Sequence, residues 1–304
     1  MGTTWRLLKA EGKKLLGSSC ARMVWALPVL FILMEFFFFE YRLLGLVHVP
    51  EDLKQIIDTV QITMAGALWG GFFYPILIAL LPALIFRVEH RNAMWRHLGT
   101  MPISSSQVYA IKAVWVIILS LVSLVLVWLL FMLEQTLIRF IAPQLEMEFH
   151  GLVIATVLGW LWLGSLPVAS IYLWVSNRIN SLSVPIVLGV VGILLSSALT
   201  SQEVPQPWKR DYIPWATPNI CVDQVLKEAG ANKGAKIVGE LFMEEQDVLR
   251  LPDGRKRKYW SNFPDEYFFP PPPPTPPLAL ASYSIVTCLA FLILGIADAG
   301  KCRK

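Results

Sequence analysis

Few side chains in this sequence are of a type that does chemistry, and their spacing narrows them further. His90 and His97 stand seven residues apart, about 10.5 Å along a helix, too far to share a metal without a third element. His48 near Glu51 and His150 near Glu148 lack short ligand spacing and a neighbouring cysteine, so no metal site is expected. The run GANKGAK at 230–236 has neither the spacing of a phosphate loop nor a Ser or Thr after its lysine. HExxH and GxSxG are absent, and no catalytic set can be named. The four cysteines, Cys20, Cys221, Cys288 and Cys302, match no zinc or redox spacing. Glu35 is sharper: it lies in FILMEFFFF, and a carboxyl at such depth is costly unless it faces protein or water. It either lines a substrate path or pairs with Arg42 near the outer surface.

These residues must be positioned by elements that are mostly apolar. The chain has 304 residues, 55% hydrophobic and 16% charged, with mean hydropathy +0.56. A soluble domain carries about a quarter charged residues, so an integral membrane protein is expected. The net charge of +4 is small and its cations are scattered, which argues against a nucleic-acid partner. A spanning helix needs about 20 apolar residues. Stretches 23–39, 59–86, 110–132, 151–175, 182–199 and 278–297 come near that length.

The expected fold is an all-α membrane protein of six transmembrane helices. Residues 1–22 form an amphipathic interfacial helix, with Trp5, Leu8, Leu15 and Leu16 near one face and Arg6, Lys9 and Lys13 on the others. Residues 23–199 carry helices one to five, 200–277 a small α+β insertion, and 278–304 the sixth helix and tail. Lysine and arginine concentrate before the first span, between the second and third, in SNRINS, and at the C-terminus. That distribution places both termini in the cytoplasm and 200–277 outside. No cleavable signal peptide is expected, and no intrachain disulfide, because only Cys221 lies outside on this topology.

Within the insertion, DVLRLPDGRKRKYW reads as a hairpin turning at Pro252, Asp253 and Gly254. PPPPPTPP before the last span reads as a polyproline strut. The candidate extracytoplasmic surface is Trp215, from YIPWATP, with the basic run Arg255, Lys256, Arg257 and Lys258.

The most polar compact stretch between two spans is RVEHRNAMWRHLGTMPISSSQ at 87–107. Gly99 and Pro102 stop a short helix at 88–99, and Ser104 and Gln107 have capping-box spacing for the next one. Trp95 and Leu98 share a face, while Glu89, His90, Arg91 and Arg96 offer polar contacts. By residue type alone this is either a solvated connection or a rigid cytoplasmic helix on which a soluble partner pushes.

VEHRNAMWRHLGTMPIS resembles the segment after the second span in type-2 ABC exporter permeases, of the lantibiotic-immunity and bacitracin-resistance kind. The matching positions are Glu89, His90, Trp95, Leu98 and Pro102. The opening TTWRLLKAEGKKL is similar too. The resemblance implies a permease half that pairs with a second copy or a paralogue and with two ATP-binding subunits. The helix at 88–99 would be the coupling helix, docking on the ATPase through Glu89, His90, Arg91, Trp95, Arg96 and Leu98. ATP and magnesium would bind on that partner, with no cofactor on this chain. The setting would be a bacterial cytoplasmic membrane, with lipid around the spans and a lantibiotic-like peptide as cargo. The long insertion departs from the pattern, since many such permeases have a much shorter loop there. Export of a lipid or another small antibiotic, or a non-transporting receptor or scaffold, are the alternatives.

Overall fold

The computed structural model describes residues 2–37, 65–91, 104–141, 151–179, 181, 183–200, 213–218, 220, 248–250, 256–258 and 277–301. Their helices are α1 (Gly2–Leu16), α2 (Ser19–Glu35), α3 (Tyr74–Arg91), α4 (Ser105–Ile141), α5 (Gly151–Arg178), α6 (Ser183–Thr200) and α7 (Pro277–Lys301). A π-helical stretch, Ala65–Phe73, runs directly into α3.

Four helices are long and apolar enough to cross a membrane, or five if the bent pair α1–α2 counts as one span. The apolar part of α6, Ser183–Gly192, is shorter than that test requires. The described residues therefore show four or five candidate spans where the sequence suggested six. α4 is much longer than the 110–132 expected: its 37 residues extend about 55 Å, against about 30 Å of hydrocarbon.

The break between α1 and α2 also falls earlier than the expected boundary at residue 22. Ser18 makes it: its hydroxyl accepts from the Cys20 amide (3.2 Å) and donates to the Leu15 carbonyl (2.6 Å). One side chain thus closes the first helix and caps the second, and the axes turn by 59°. α1 is pinned to α4 by Trp115, whose Nε1 donates to Leu8 O (3.2 Å). Gly12 makes room for that indole, since a Cβ there would lie 2.4 Å from it.

At the other side of the chain's most polar connection, α4 opens on the expected capping box. The Gln107 amide donates to Ser104 Oγ (3.2 Å), and the Ser104 amide to Gln107 Oε1 (3.3 Å). Replacing both by alanine is expected to cost the first turn about 1 kcal/mol. Hydrogen exchange at amides 105–108 would quicken several-fold while the rest of α4 stays protected; unchanged exchange would mean the cap carries no energy.

Side-chain contacts fix the direction of each helix. Trp128 Nε1 donates to Gly151 O (2.9 Å) and Trp162 Nε1 to Ser120 Oγ (3.2 Å), so α4 and α5 are antiparallel. Tyr74 meets Ser165 where Gly70 meets Leu161, so α3 and α5 are parallel. Trp174 lies 6.4 Å from Phe291, and Arg178 pairs with Asp298, so α7 runs with α5. Phe86 meets Tyr109 at one end of the body (6.1 Å). At the other, Phe31 sits among Trp69 (5.2 Å), Phe73 (5.6 Å) and Phe131 (5.8 Å). α4 therefore opposes α3 and runs with α2. Gly189 faces Ala79 while Gly192 shares a cavity with Gly70 and Gly71, which sets α6 against α3. From α2 to α7 the direction alternates at every step.

The core runs through this body from Phe86 and Tyr109 at one end to Phe31 and Trp69 at the other. The outward faces are also apolar, with Val286, Leu289, Ile293 and Leu294 of α7 and Leu121, Val125 and Leu129 of α4 exposed. Such faces suit lipid, where no polar rim is needed.

Two short strands, β1 (Val248–Arg250) and β2 (Lys256–Lys258), pair antiparallel, with Val248 opposite Lys258 and Arg250 opposite Lys256. They bracket 251–255, where the sequence placed a turn. The polyproline stretch before Pro277 lies outside the described residues, and Pro277 itself opens α7.

Candidate functional site

Three places in the body carry polar chemistry. The first is the end where α3 and α4 meet the 92–103 connection. Glu89, His90 and Arg91 form the last turn of α3, so the polar segment begins as a continuation of the span. Trp95, Arg96 and Leu98, with the rest of 92–103, lie outside the described residues. About two turns into α4, Lys112 is fully buried, and its Nζ stands 4.4 Å over the Phe86 ring. Tyr109 stacks beside the same ring and seats its hydroxyl against Gly295, where a Cβ would lie 2.0 Å from it.

α7 is tied to the same end twice more. Ser106 Oγ donates to Ile296 O (3.1 Å), and Arg178 Nε and Nη2 grip both oxygens of Asp298 (2.6 and 2.5 Å). Arg178 also lies over Trp174 at 5.2 Å. A bidentate guanidinium–carboxylate pair fixes orientation as well as distance. These contacts link α3, α4, α5 and α7 at this end. The sequence analysis singled out neither Lys112 nor Asp298; for Lys112, a lone cation inside an apolar run was the available signal.

The second place surrounds Glu35, which is 1% exposed at the end of α2. Phe31, one turn earlier, touches Phe131 of α4. Because α2 and α4 are parallel, Glu35 is carried to the level of Glu134 and Gln135, one turn beyond Phe131. Both are buried, at 4% and 6% exposure. Glu35 is thus at about the same level as two other buried polar side chains on the neighbouring helix. Arg42, its candidate partner from sequence, lies outside the described residues.

The third place is a cavity of about 30 Å³, room for a water-sized body. Its walls include Gly70, Gly71, Tyr74, Ser165, Trp215 and Pro218. Tyr74 OH and Ser165 Oγ are 3.2 Å apart, and Ser165 Oγ donates to Trp162 O (2.8 Å). Among the described residues, no charged one lines it. The π-helical stretch forms one side, as such stretches often do at functional sites.

Trp215 packs on the helical body: its Nε1 donates to Tyr172 OH (3.0 Å), and its indole fills the notch at Gly192. A Cβ at Gly192 would be 2.1 Å from the ring. Of the basic run, Lys256, Arg257 and Lys258 form β2, and Arg255 lies outside the described residues. Among the described residues, no three His, Cys, Asp or Glu side chains gather as metal ligands would.

Comparison with curated proteins and with solved structures gave no match. A sequence model of a family described as ABC-2 family transporter protein matches residues 7–196, more than half of the chain. The match takes in most of α1 and α6, all of α2 to α5, the 92–103 connection, and Glu35, Lys112, Glu134 and Gln135. The chain therefore belongs to the ABC-2 family transporter proteins, the multi-pass membrane subunits of ABC transporters, which work with separate ABC ATP-binding subunits and are not themselves the ATPase.

Proposed function

We propose that this chain is the permease half of an ATP-driven exporter in a bacterial cytoplasmic membrane. It pairs with a second copy or a paralogue and with two ATP-binding subunits, which hold ATP and magnesium. Six spans with both termini cytoplasmic are the topology that fits best: the alternation of direction from α2 to α7 supports it, and so does the lysine and arginine distribution.

The observation that carries the reading is the cross-linked end around 92–103. A segment entered from a continuous α3 and left through a capped α4 is built to transmit force. The Phe86–Lys112–Tyr109 contacts behind it spread that force into the body. Closure of the ATPase pair would push on 88–99 and tilt the spans. The resemblance of VEHRNAMWRHLGTMPIS to immunity permeases supports a lantibiotic-like peptide as cargo. The uncharged cavity at Tyr74 and Ser165 favours instead a lipid or another small amphipathic molecule.

Affinity capture from native membranes in mild detergent tests the assembly. Wild-type chain is expected to bring down a stoichiometric ATP-binding subunit. Glu89→Lys with Arg96→Glu is expected to lose at least tenfold of it at an unchanged membrane level. Full retention by the double variant would remove the coupling role; no ATPase with wild type would remove the transporter reading.

A further inference from the structure

The first helix is held from one side. Gly12 and Leu15 of α1 are buried and Leu8 is half-buried, and this side meets Trp115 and the core. The other side is open. Trp5 and Leu16 are 65% and 71% exposed, three turns apart on one edge, about 16 Å along the axis. Beside that edge Arg6, Lys9 and Lys13, spaced by three and four residues, form an exposed row. Glu11 is the one acid of α1, and it reaches Lys14 (3.5 Å) instead of the row. Among the described residues, no carboxylate pairs with Arg6, Lys9 or Lys13.

The body sets the depth of this face. The axes of α1 and α2 differ by 59°, so with α2 standing across the bilayer α1 inclines toward its plane. The bond from Trp115 Nε1 to Leu8 O fixes where α1 crosses α4. Trp115 is ten residues into α4, about 15 Å from Ser105, and about 39 Å of helix remain from it to Ile141. That remainder covers the hydrocarbon, about 30 Å, and part of the headgroup layers. α1 therefore lies at the membrane surface, and the first turns of α4 extend past it toward 92–103.

A basic row beside an exposed indole and leucine, at that depth, complements phosphate headgroups next to an acyl layer. In a zwitterionic lipid each phosphate carries its own ammonium. In an anionic lipid the phosphate is left to the protein, and each Lys or Arg near such a surface strengthens binding about fivefold. We propose that Arg6, Lys9 and Lys13 bind the phosphates of anionic phospholipids, with Trp5 and Leu16 inserted among the acyl chains beside them, and that this contact makes α1 a fixed pivot for α4. With α1 held in the surface, α4 is held at Trp115, and displacement of its first turns rotates the helix about that point. The role of the pivot in transport rests on the permease reading above; the lipid contact does not.

Full-length protein is placed in nanodiscs of phosphatidylcholine, with or without phosphatidylglycerol, and backbone hydrogen exchange is followed. Amides 6–16 are expected to exchange roughly threefold more slowly in the anionic discs, amides 105–108 roughly twofold, and those of α5 equally in both. The triple variant Arg6→Gln, Lys9→Gln, Lys13→Gln changes exposed side chains alone, and its α1 should exchange alike in both discs. Trp115→Phe, which lacks the bond to Leu8, should keep the lipid effect on α1 and lose it at 105–108. Soluble glycerol phosphate added to phosphatidylcholine discs should change nothing. Equal exchange of wild-type α1 in the two discs, a lipid effect that survives in the triple variant, or protection by glycerol phosphate would each overturn the lipid contact. So would protection that needs a bound ATP-binding subunit whatever the lipid, since the face would then belong to that protein. A lipid effect at 105–108 that survives Trp115→Phe would overturn the pivot. ATPase capture by the wild-type chain is a separate result, and its failure would leave the lipid contact standing.

Discussion

Lys112→Glu is expected to leave no monodisperse protein in detergent, while Lys112→Arg gives a normal peak and Lys112→Met one that unfolds more easily. The ammonium has no exposure and stands over the face of Phe86, where the ring is electron-rich. Removing that attraction while keeping the stem's volume costs about 2 kcal/mol for a desolvated cation–ring contact. A carboxylate in the same place meets the negative face of the ring without water to solvate it, a cost of several kcal/mol against a total stability of about 5–15. Size-exclusion profiles and thermal unfolding of the three variants check the order. A sharp peak for Lys112→Glu would show that the end around 92–103 tolerates rearrangement, and the force-transmitting role assigned to it would fail.

Local signals in the sequence were good guides where local physics decides. Ser104 and Gln107 form the cap that their spacing suggested, and SNRINS separates α5 from α6 as a short break must. Ser18 was legible in principle, since a serine after glycine before an apolar run is a cap signal, but apolar patterning drew attention to residue 23. Distant partners decide the rest. The sequence around Trp215 does not by itself say which helices it packs on. Its place is set by the absence of side chains at Gly164 and Gly192, on two other elements. Glu35 stood out as a carboxyl in a phenylalanine run, but its neighbourhood with Glu134 and Gln135 depends on α2 and α4 being parallel. The direction of α4 relative to α2 is not a property of the residues around Glu35.

Phe31→Ala should be the most damaging truncation in the far half of the body. The ring is fully buried and contacts Trp69, Phe73 and Phe131, joining α2, α4 and the π-helical stretch. In water, such a truncation costs about 3–5 kcal/mol, part of it transfer and part of it the cavity left behind. Between membrane helices the transfer part is small, because lipid tails are as apolar as the core. What remains is lost dispersion contact and aromatic geometry, so about 2–3 kcal/mol is expected. Leu30, next in sequence but half exposed on the outward face, has lipid to replace its neighbours, and Leu30→Ala should cost under about 0.5 kcal/mol. Unfolding in mixed micelles compares the two directly. Equal effects would mean that α2 faces lipid with Phe31 and that the aromatic cluster does not join α2 to α4. A large effect at Phe31 alone, recovered in part by Phe31→Leu, would establish that the aromatic cluster holds α2 against α4 and the π-helical stretch.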